Sequence, residues 1–316
     1  YGKRTTLYTN YEFDQPKPDK FYKDDFRQHN DSVYFRKDDF WKEKRLEPLN
    51  KDEQRVYTML DTLRTVDAFK RMYSLGTILA TNYWERDGWD FGPVFSTFGY
   101  NDVEGLRLRA GGRSYTSQND KFRLQGFLAY GFKDDKFKYG VSAKYLLSPK
   151  LHWVVEAGNR RDVEQLGASL TNTSDVLGRS LASSAVLTIG ANASLTNINL
   201  SSLAFTLEPA RNFQVRLGST YRTLISASDK FSIAYFEDAS QNIISEETKQ
   251  LKASVILKYM PGRKTSGYGV ERYIINTNDY PEMFLNYSKG FTGALNSDFD
   301  YQKLQLFYRQ PIQVGG

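Results

Sequence analysis

The sequence predicts an all-β, antiparallel protein, read as a transmembrane β-barrel with a short α/β segment ahead of it, and three observations carry that reading. The first is the stretch from Lys121 to Tyr145. Phe122, Leu124, Leu128, Tyr130 and Phe132 fall on one side of an extended chain, and Lys121, Arg123, Gln125, Ala129 and Gly131 fall on the other. After the charged turn Lys133-Asp134-Asp135-Lys136 the alternation resumes, with Phe137, Tyr139, Val141, Ala143 and Tyr145 opposed to Lys138, Gly140, Ser142 and Lys144. That is an antiparallel hairpin with one apolar and one wet face. The second observation is length: each strand carries roughly ten alternating residues, enough to cross a bilayer when tilted. The third is an aromatic fraction of 15%, with 22 Tyr and 21 Phe, which suits membrane-water girdles. A large soluble antiparallel barrel or sandwich, with the apolar face against a second sheet, is the alternative that the same pattern allows.

Composition narrows the classes. The 316 residues suffice for one large or two modest domains. No run approaches the 18 or so apolar residues of a membrane helix. The absence of cysteine removes disulfides and thiolate metal sites. A formal charge of +6 is spread among 37 acidic residues rather than gathered into a patch, so nucleic acid is not expected as a partner. The opening YGKRTTLYTNY already reads as strand, without a leader, and the ending YRQPIQVGG is abrupt, so the chain is expected to be a fragment.

Along the chain, residues 1 to about 45 alternate aromatics with charges and hold too few aliphatics for a core of their own. Phe21, Tyr22, Phe26, Tyr34, Phe35, Phe40 and Trp41 are expected to lie against something else, and His29 to be a solvated surface side chain. Asn50 with Glu53 forms a capping box, and Val56, Tyr57, Leu60 and Leu63 recur at helical spacing, predicting an amphipathic helix near 51–65 that continues or restarts to Tyr73. Residues 1–82 therefore read as a pre-barrel segment and 83–316 as barrel strands and loops.

Trp84 and Trp89 mark the change to sheet. After a turn at Gly99-Tyr100-Asn101, Glu104, Leu106, Leu108 and Ala110 oppose Gly105, Arg107 and Arg109, which places two arginines toward a wet lumen. The next strand spans 152–158, with His152 a polar wall residue; 159–181 reads as a long polar connection and 187–204 as weakly patterned. Phe213, Val215, Leu217 and Tyr221 oppose Gln214, Arg216, Gly218 and Thr220, and further strands follow at 231–236, 251–259, 280–287 and 301–309. The total is roughly ten or eleven strands, where a closed bacterial barrel has an even number.

No nucleophile elbow, phosphate-cradling loop, zinc-binding HExxH or calcium loop is present. With two separated histidines, and with Asp38-Asp39 and Asp134-Asp135 in charged loops, the chain is read as a non-enzyme with no catalytic residue, metal or cofactor.

Four segments carry a family resemblance: DFWKEKRLEPLNKDEQRVYTMLDTL, FGYNDVEGLRLRAG, RLQGFLAYGFKDDKFKYG and DYPEMFLNYSKGFTGALNSDFDYQKLQLFYRQ. They resemble the outer-membrane barrel region of a Bacteroidota family of unknown function, DUF5686, whose members often carry a carboxypeptidase-regulatory-like domain. The pattern YNxxEG followed by alternating Arg, with the later YP…YxxG…DxxYxKL, is also similar to the BamA/TamA superfamily. The resemblance implies a barrel of about 16 strands after a periplasmic part, incomplete in this chain. It places Asn101, Glu104, Gly105, Arg107 and Arg109 on the first conserved strand and Tyr280, Pro281, Tyr287, Gly290, Tyr301 and Lys303 on a later strand pair. Arg123 and Arg216 join the lumen set through the alternation.

The resemblance implies a location in the bacterial outer membrane, with the lipid bilayer and lipopolysaccharide as partners. The expected role is that of an accessory subunit beside a BamA-type machine in outer-membrane protein or lipoprotein assembly or export. A channel or receptor for solute uptake, with the lumen arginines attracting anions, is the alternative. A soluble binding module is the third.

Overall fold

A computed structural model describes residues 38–165, 195–228, 232–236, 244–275 and 280–312, with isolated positions before residue 17. The aromatic positions singled out at 21–35, and His29, lie outside the described residues. The chain divides into two compact units, Tyr1–Tyr73 and Ser74–Gly316.

The described helices are α1 (Asp38–Lys44), α2 (Lys51–Thr65) and α3 (Asp67–Thr81). α2 starts where it does because Asn50 accepts hydrogen bonds from the backbone N–H groups of Asp52 and Glu53, while Glu53 accepts from the N–H of Asn50 at 2.9 Å. The last turn of α2 closes with Val66 in an extended conformation. Among the described residues no helix is long and apolar enough to cross a membrane.

The second unit is built on one antiparallel meander. Its strands are β1 (Trp84–Arg86), β2 (Gly88–Phe91), β3 (Phe98–Asn101), β4 (Gly105–Tyr115), β5 (Phe122–Gly131), β6 (Lys136–Ser148), β7 (Trp153–Gln165), β8 (Leu195–Ala210), β9 (Phe213–Ser226), β12 (Glu247–Tyr259), β15 (Glu282–Phe291) and β16 (Tyr301–Arg309). Two small ribbons complete the described set, β10 (Tyr235–Phe236) with β11 (Ile244–Ser245), and β13 (Thr265–Ser266) with β14 (Tyr273–Ile274). The 12-stranded sheet runs β1-β2-β4-β5-β6-β7-β8-β9-β12-β15-β16, with β3 beside β4.

This order corrects the expected barrel. β1 pairs only with β2 and β16 only with β15, so the described sheet is open rather than closed. An open edge leaves a row of backbone groups unpaired, which hydrocarbon does not tolerate. The expectations built on closure fall with it: the sixteen-stranded transmembrane barrel, the outer-membrane location, and the bilayer and lipopolysaccharide as partners. So do the role beside a BamA-type assembly machine and the alternative of a channel or uptake receptor.

The two faces of the sheet are strongly unlike, and in an unusual sense. On the hairpin β5–β6 the apolar set is the exposed one, with Leu128 54% and Phe137 64% accessible, while Arg123 is 1% and Lys138 3% accessible on the opposite face. Arg107 on β4 reaches Asp162 on β7 at 2.6 Å. Three strand spacings separate them, about 14 Å in a flat sheet, so the sheet curls with the charged face inside. Two strands differ from their sequence reading. β7 continues through 159–165, where Arg160, Asp162 and Glu164 alternate inward, and β8 occupies much of the weakly patterned 187–204.

One end of the curled sheet is crossed by the connection between β12 and β15. It is fastened at each turn that it passes. Arg263 and Arg272 bind the two oxygens of Glu208 at 3.1 and 3.0 Å, Glu271 meets Lys144 at 3.0 Å, and the N–H of Val270 donates to the carbonyl of Asp120 at 2.8 Å. Val270 is buried with Leu146 and Val154. Gly269 is required by close approach, since a Cβ there would collide with the Gln118 carbonyl. His152 sits beneath this strap with Nε2 3.2 Å from the Gly269 carbonyl and Nδ1 without a partner among the described residues. Burial, followed by the positive charge of Arg272, lowers its pKa to about 4.

That depression fixes a pH response. Between the ordinary value of 6.5 and about 4 the unfolded chain takes up a proton at residue 152 that the folded chain refuses. Stability should therefore fall as pH falls through this window. Urea midpoints measured across it should decline for the native chain and decline less for His152→Gln; equal slopes would exclude His152 as a cause.

Candidate functional site

The inner face carries two polar assemblies. The first is a closed ion network at the β3–β4 turn. Asn101 Oδ1 accepts from the N–H groups of Val103 and Glu104, and Gly105 has φ +63°, a conformation open to glycine. The turn breaks the strand alternation and swings Glu104 inward, where it is fully buried, instead of onto the outer face with Leu106 and Leu108. Its carboxylate accepts from Asn101 Nδ2 at 2.6 Å, from Arg107 at 3.1 Å and from Lys138 at 2.8 Å. Lys138 also binds Asp134 at 2.6 Å, and Arg160 pairs with Glu164. Burial works to raise the Glu104 pKa, but the charge of Arg107 and the hydrogen bonds from Lys138 and Asn101 outweigh it and hold the carboxyl below its usual range.

The arginines expected to draw anions are mostly neutralised. Arg107 is held by Glu104 and Asp162, Arg216 by Glu156 at 2.8 Å, and Arg123 donates to the Ser114 carbonyl with Asp120 at 3.7 Å and Glu271 at 3.9 Å. Among the described residues no carboxylate lies within ion-pair distance of Arg109. Arg109 donates to Ser96 Oγ at 2.7 Å and its guanidinium lies 4.3 Å from the Phe127 ring centroid. Burial and the neighbouring Arg107 lower its pKa to about 10. The later set scatters: Tyr280 is buried at the end of the strap, Pro281 is half-buried beside it, and Tyr287 is exposed on the outer face with its hydroxyl donating to Gln302.

The second assembly is a cavity of about 530 Å³ over β8, β9, β12, β15 and β16. Three of the sequence-derived residues, Arg216, Tyr301 and Lys303, line it, and they are joined by Arg222, Lys252 and Lys258, which sequence reasoning does not select. The signal that would find them is the alternation of β12 itself, where Gln250, Lys252, Ser254, Ile256 and Lys258 share the inner face. Gly290, on the later conserved pair, makes room for an aromatic wall: a Cβ there would collide with the Tyr301 ring.

The electrostatics of this cavity are unbalanced. Arg216 is held by Glu156, while Arg222, Lys252, Lys258 and Lys303 share the lining with one carboxylate, Asp300, which binds Lys289 at 2.5 Å. Among the described residues no carboxylate lies within ion-pair distance of Lys252, Lys258 or Lys303. Burial, then Arg222 and Lys303, lower the Lys252 pKa to about 8. Lys258 is lowered by burial against the partial relief of Glu282, with Arg216 and Arg263 adding to the depression. Ser202 Oγ, also in the wall, is buried without a hydrogen-bond partner among the described residues.

The model of the family of unknown function DUF5686, C-terminal domain, matches residues 78–316. The chain belongs to this family. The match covers the whole sheet, including both polar assemblies. The outer-membrane barrel and BamA/TamA parts of the sequence resemblance are corrected by the open strand order. No curated protein and no solved structure matches the chain.

The two assemblies should respond oppositely to loss of charge. Glu104→Ala leaves Arg107 and Lys138 short of a partner inside the sheet, and chemical denaturation should show a loss of about 3–5 kcal/mol; a loss under about 1 kcal/mol would show the network to be dispensable. Lys252→Met should instead stabilise the fold at pH 7, because a lysine with a depressed pKa binds its proton at a cost to the folded state. The gain should shrink as pH rises from about 8 toward the ordinary lysine value. A destabilised Lys252→Met variant would contradict this assignment.

Proposed function

We propose that this domain is a non-catalytic binding protein that takes an anionic small molecule into the cavity between β8 and β16. The observation that carries the reading is the charge imbalance of the lining: apart from Arg216, which Glu156 holds, Arg222, Lys252, Lys258 and Lys303 share it with one carboxylate, which is already engaged by Lys289. A partly buried ammonium without a counter-charge is costly to hold. An anion entering the cavity relieves that cost for several side chains at once. The volume falls in the range of small-molecule sites, and the side chains around it, chiefly hydroxyls and amides, add hydrogen bonds of fixed direction.

Binding rather than catalysis is favoured by what surrounds the cations. Among the described lining residues there is no histidine, and the one carboxylate is tied to a lysine, so no proton acceptor of ordinary strength faces the cavity while Lys252 is protonated. Isothermal titration with inorganic pyrophosphate tests the reading directly. Binding is expected, weakened about tenfold by Lys252→Met or Lys303→Met, reduced by added salt, and falling as pH rises through the Lys252 pKa of about 8. Since a bound anion favours the charged lysine, proton uptake should accompany binding near that pH. Absence of heat at every salt concentration, with the fold intact, would remove the proposal.

A further inference from the structure

The open sheet ends differently on its two sides. β1 is three residues long, and so short an edge offers a second chain little to pair with. β16 is nine residues long and pairs with β15 along its whole length, without a shift of register. Among the described residues nothing pairs with its other side. The strand has neither the proline nor the bulge that blunts most exposed edges. Its outward residues are Gln302, Leu304, Leu306 and Tyr308, none of them charged, and Leu304 is 63% and Leu306 77% accessible. A long, flat, apolar edge of this kind is a template for another strand.

The sequence of β16, YQKLQLFYR, is complementary to itself. In an antiparallel pairing centred on Gln305, Tyr301 lies opposite Arg309 of a second copy, Gln302 opposite Tyr308, Lys303 opposite Phe307, and Leu304 opposite Leu306. Each cation then meets an aromatic ring, and the leucines meet on the outer face. The two Gln305 amides face each other, where each can both donate and accept. Other registers fit less well. Centring on Leu304 leaves Tyr308 and Arg309 without partners, and centring on Leu306 sets Lys303 against Arg309. A shift by a single pairing position would turn the outer leucines of one copy onto the inner face of the other.

We infer that β16 is an interface between two copies of this chain, joined edge to edge about a two-fold axis at Gln305 into one continuous sheet. The contact is isologous, so it closes at two copies, and the short β1 edge gives no second site from which a filament could grow. The inner face stays inner across the junction. Tyr301, Lys303 and Gln305 line the cavity, so Phe307 and Arg309 of the second copy would extend its wall beyond β16. The pairing itself requires no ligand in the cavity.

Because the chain has no cysteine, one introduced thiol reports on its own symmetry mate. Gln305→Cys brings two thiols together on the axis, with Cα atoms about 4.5–5.5 Å apart and within reach of a disulfide. Gln302→Cys is the control, since residue 302 would lie about 20 Å along the strand from its mate. Light scattering of the native chain is expected to give twice the monomer mass. Under a mild oxidant, Gln305→Cys should form a linked dimer at least about tenfold faster than Gln302→Cys. Leu306→Lys, at an exposed position, should give the monomer mass with an unchanged urea midpoint. A monomeric native chain, equal cross-linking at 302 and 305, or a Leu306→Lys variant that remains dimeric would each overturn the interface.

Discussion

The structure depends on compensating charge that the sheet has enclosed. Curling an antiparallel sheet with its polar face inward brings side chains from non-adjacent strands together, as Arg107 on β4 and Asp162 on β7 show at 2.6 Å. Each guanidinium placed there loses water and must be given a carboxylate, a carbonyl or an aromatic face in return. Glu104 receives Asn101, Arg107 and Lys138 together; Glu208 receives Arg263 and Arg272; Glu156 receives Arg216. These pairs also fix geometry, because an ion pair across several strands is made only at one curvature. The strap over one end acts in the same way, tying the β8–β9 turn to the turns between β4 and β7 through charged and backbone contacts.

The cavity over β12 is the place where this compensation fails. Small residues at Gly218, Ser254 and Ser288 leave space, and among the described residues the lysines at 252, 258 and 303 project toward it without the carboxylates that their counterparts elsewhere possess. Lys138 is enclosed to a greater degree and yet is satisfied twice over, by Glu104 and Asp134. Enclosure alone therefore does not explain an unpaired lysine in this fold. Local inconsistency of this kind in an otherwise compensated structure marks the position where side chains answer to something besides folding.

The local parts of the fold are legible in the sequence and the global part is not. Asn50 and Glu53 announce the start of α2 because a capping box is complete within four residues. The hairpin at 121–145 is legible because period two reports which side chains share a face. Period two does not report what each face meets, nor whether the first and last strands of a sheet find each other. Closure is a contact between residues more than two hundred positions apart, and nothing in the alternation of β1 or β16 encodes it. Glu104 is misplaced by the alternation for the opposite reason, a very local one: the positive φ at Gly105 interrupts the period that the reading carries through it. Asp162 and Glu164 stay hidden because charged residues on an enclosed face look like a loop when the strand is taken to end at Gly158.

The candidate site is half legible for a related reason. Strand pattern and family resemblance select Arg216, Tyr301 and Lys303, but these become one site only when register places them beside Lys252 and Lys258. Arginine content by itself points to the wrong end of the sheet, since Arg107 and Arg123 are held by acceptors supplied from other strands. What separates a binding cation from a structural one here is the identity of the residue two strands away, and that is a property of the pairing order. A positive residue on an enclosed face is by default a structural one, because the sheet must neutralise it to fold. It becomes a candidate for recognition only where the paired strands have supplied space and hydroxyls in place of the counter-charge, and the row from Ala204 to Ser288 is where that substitution has been made.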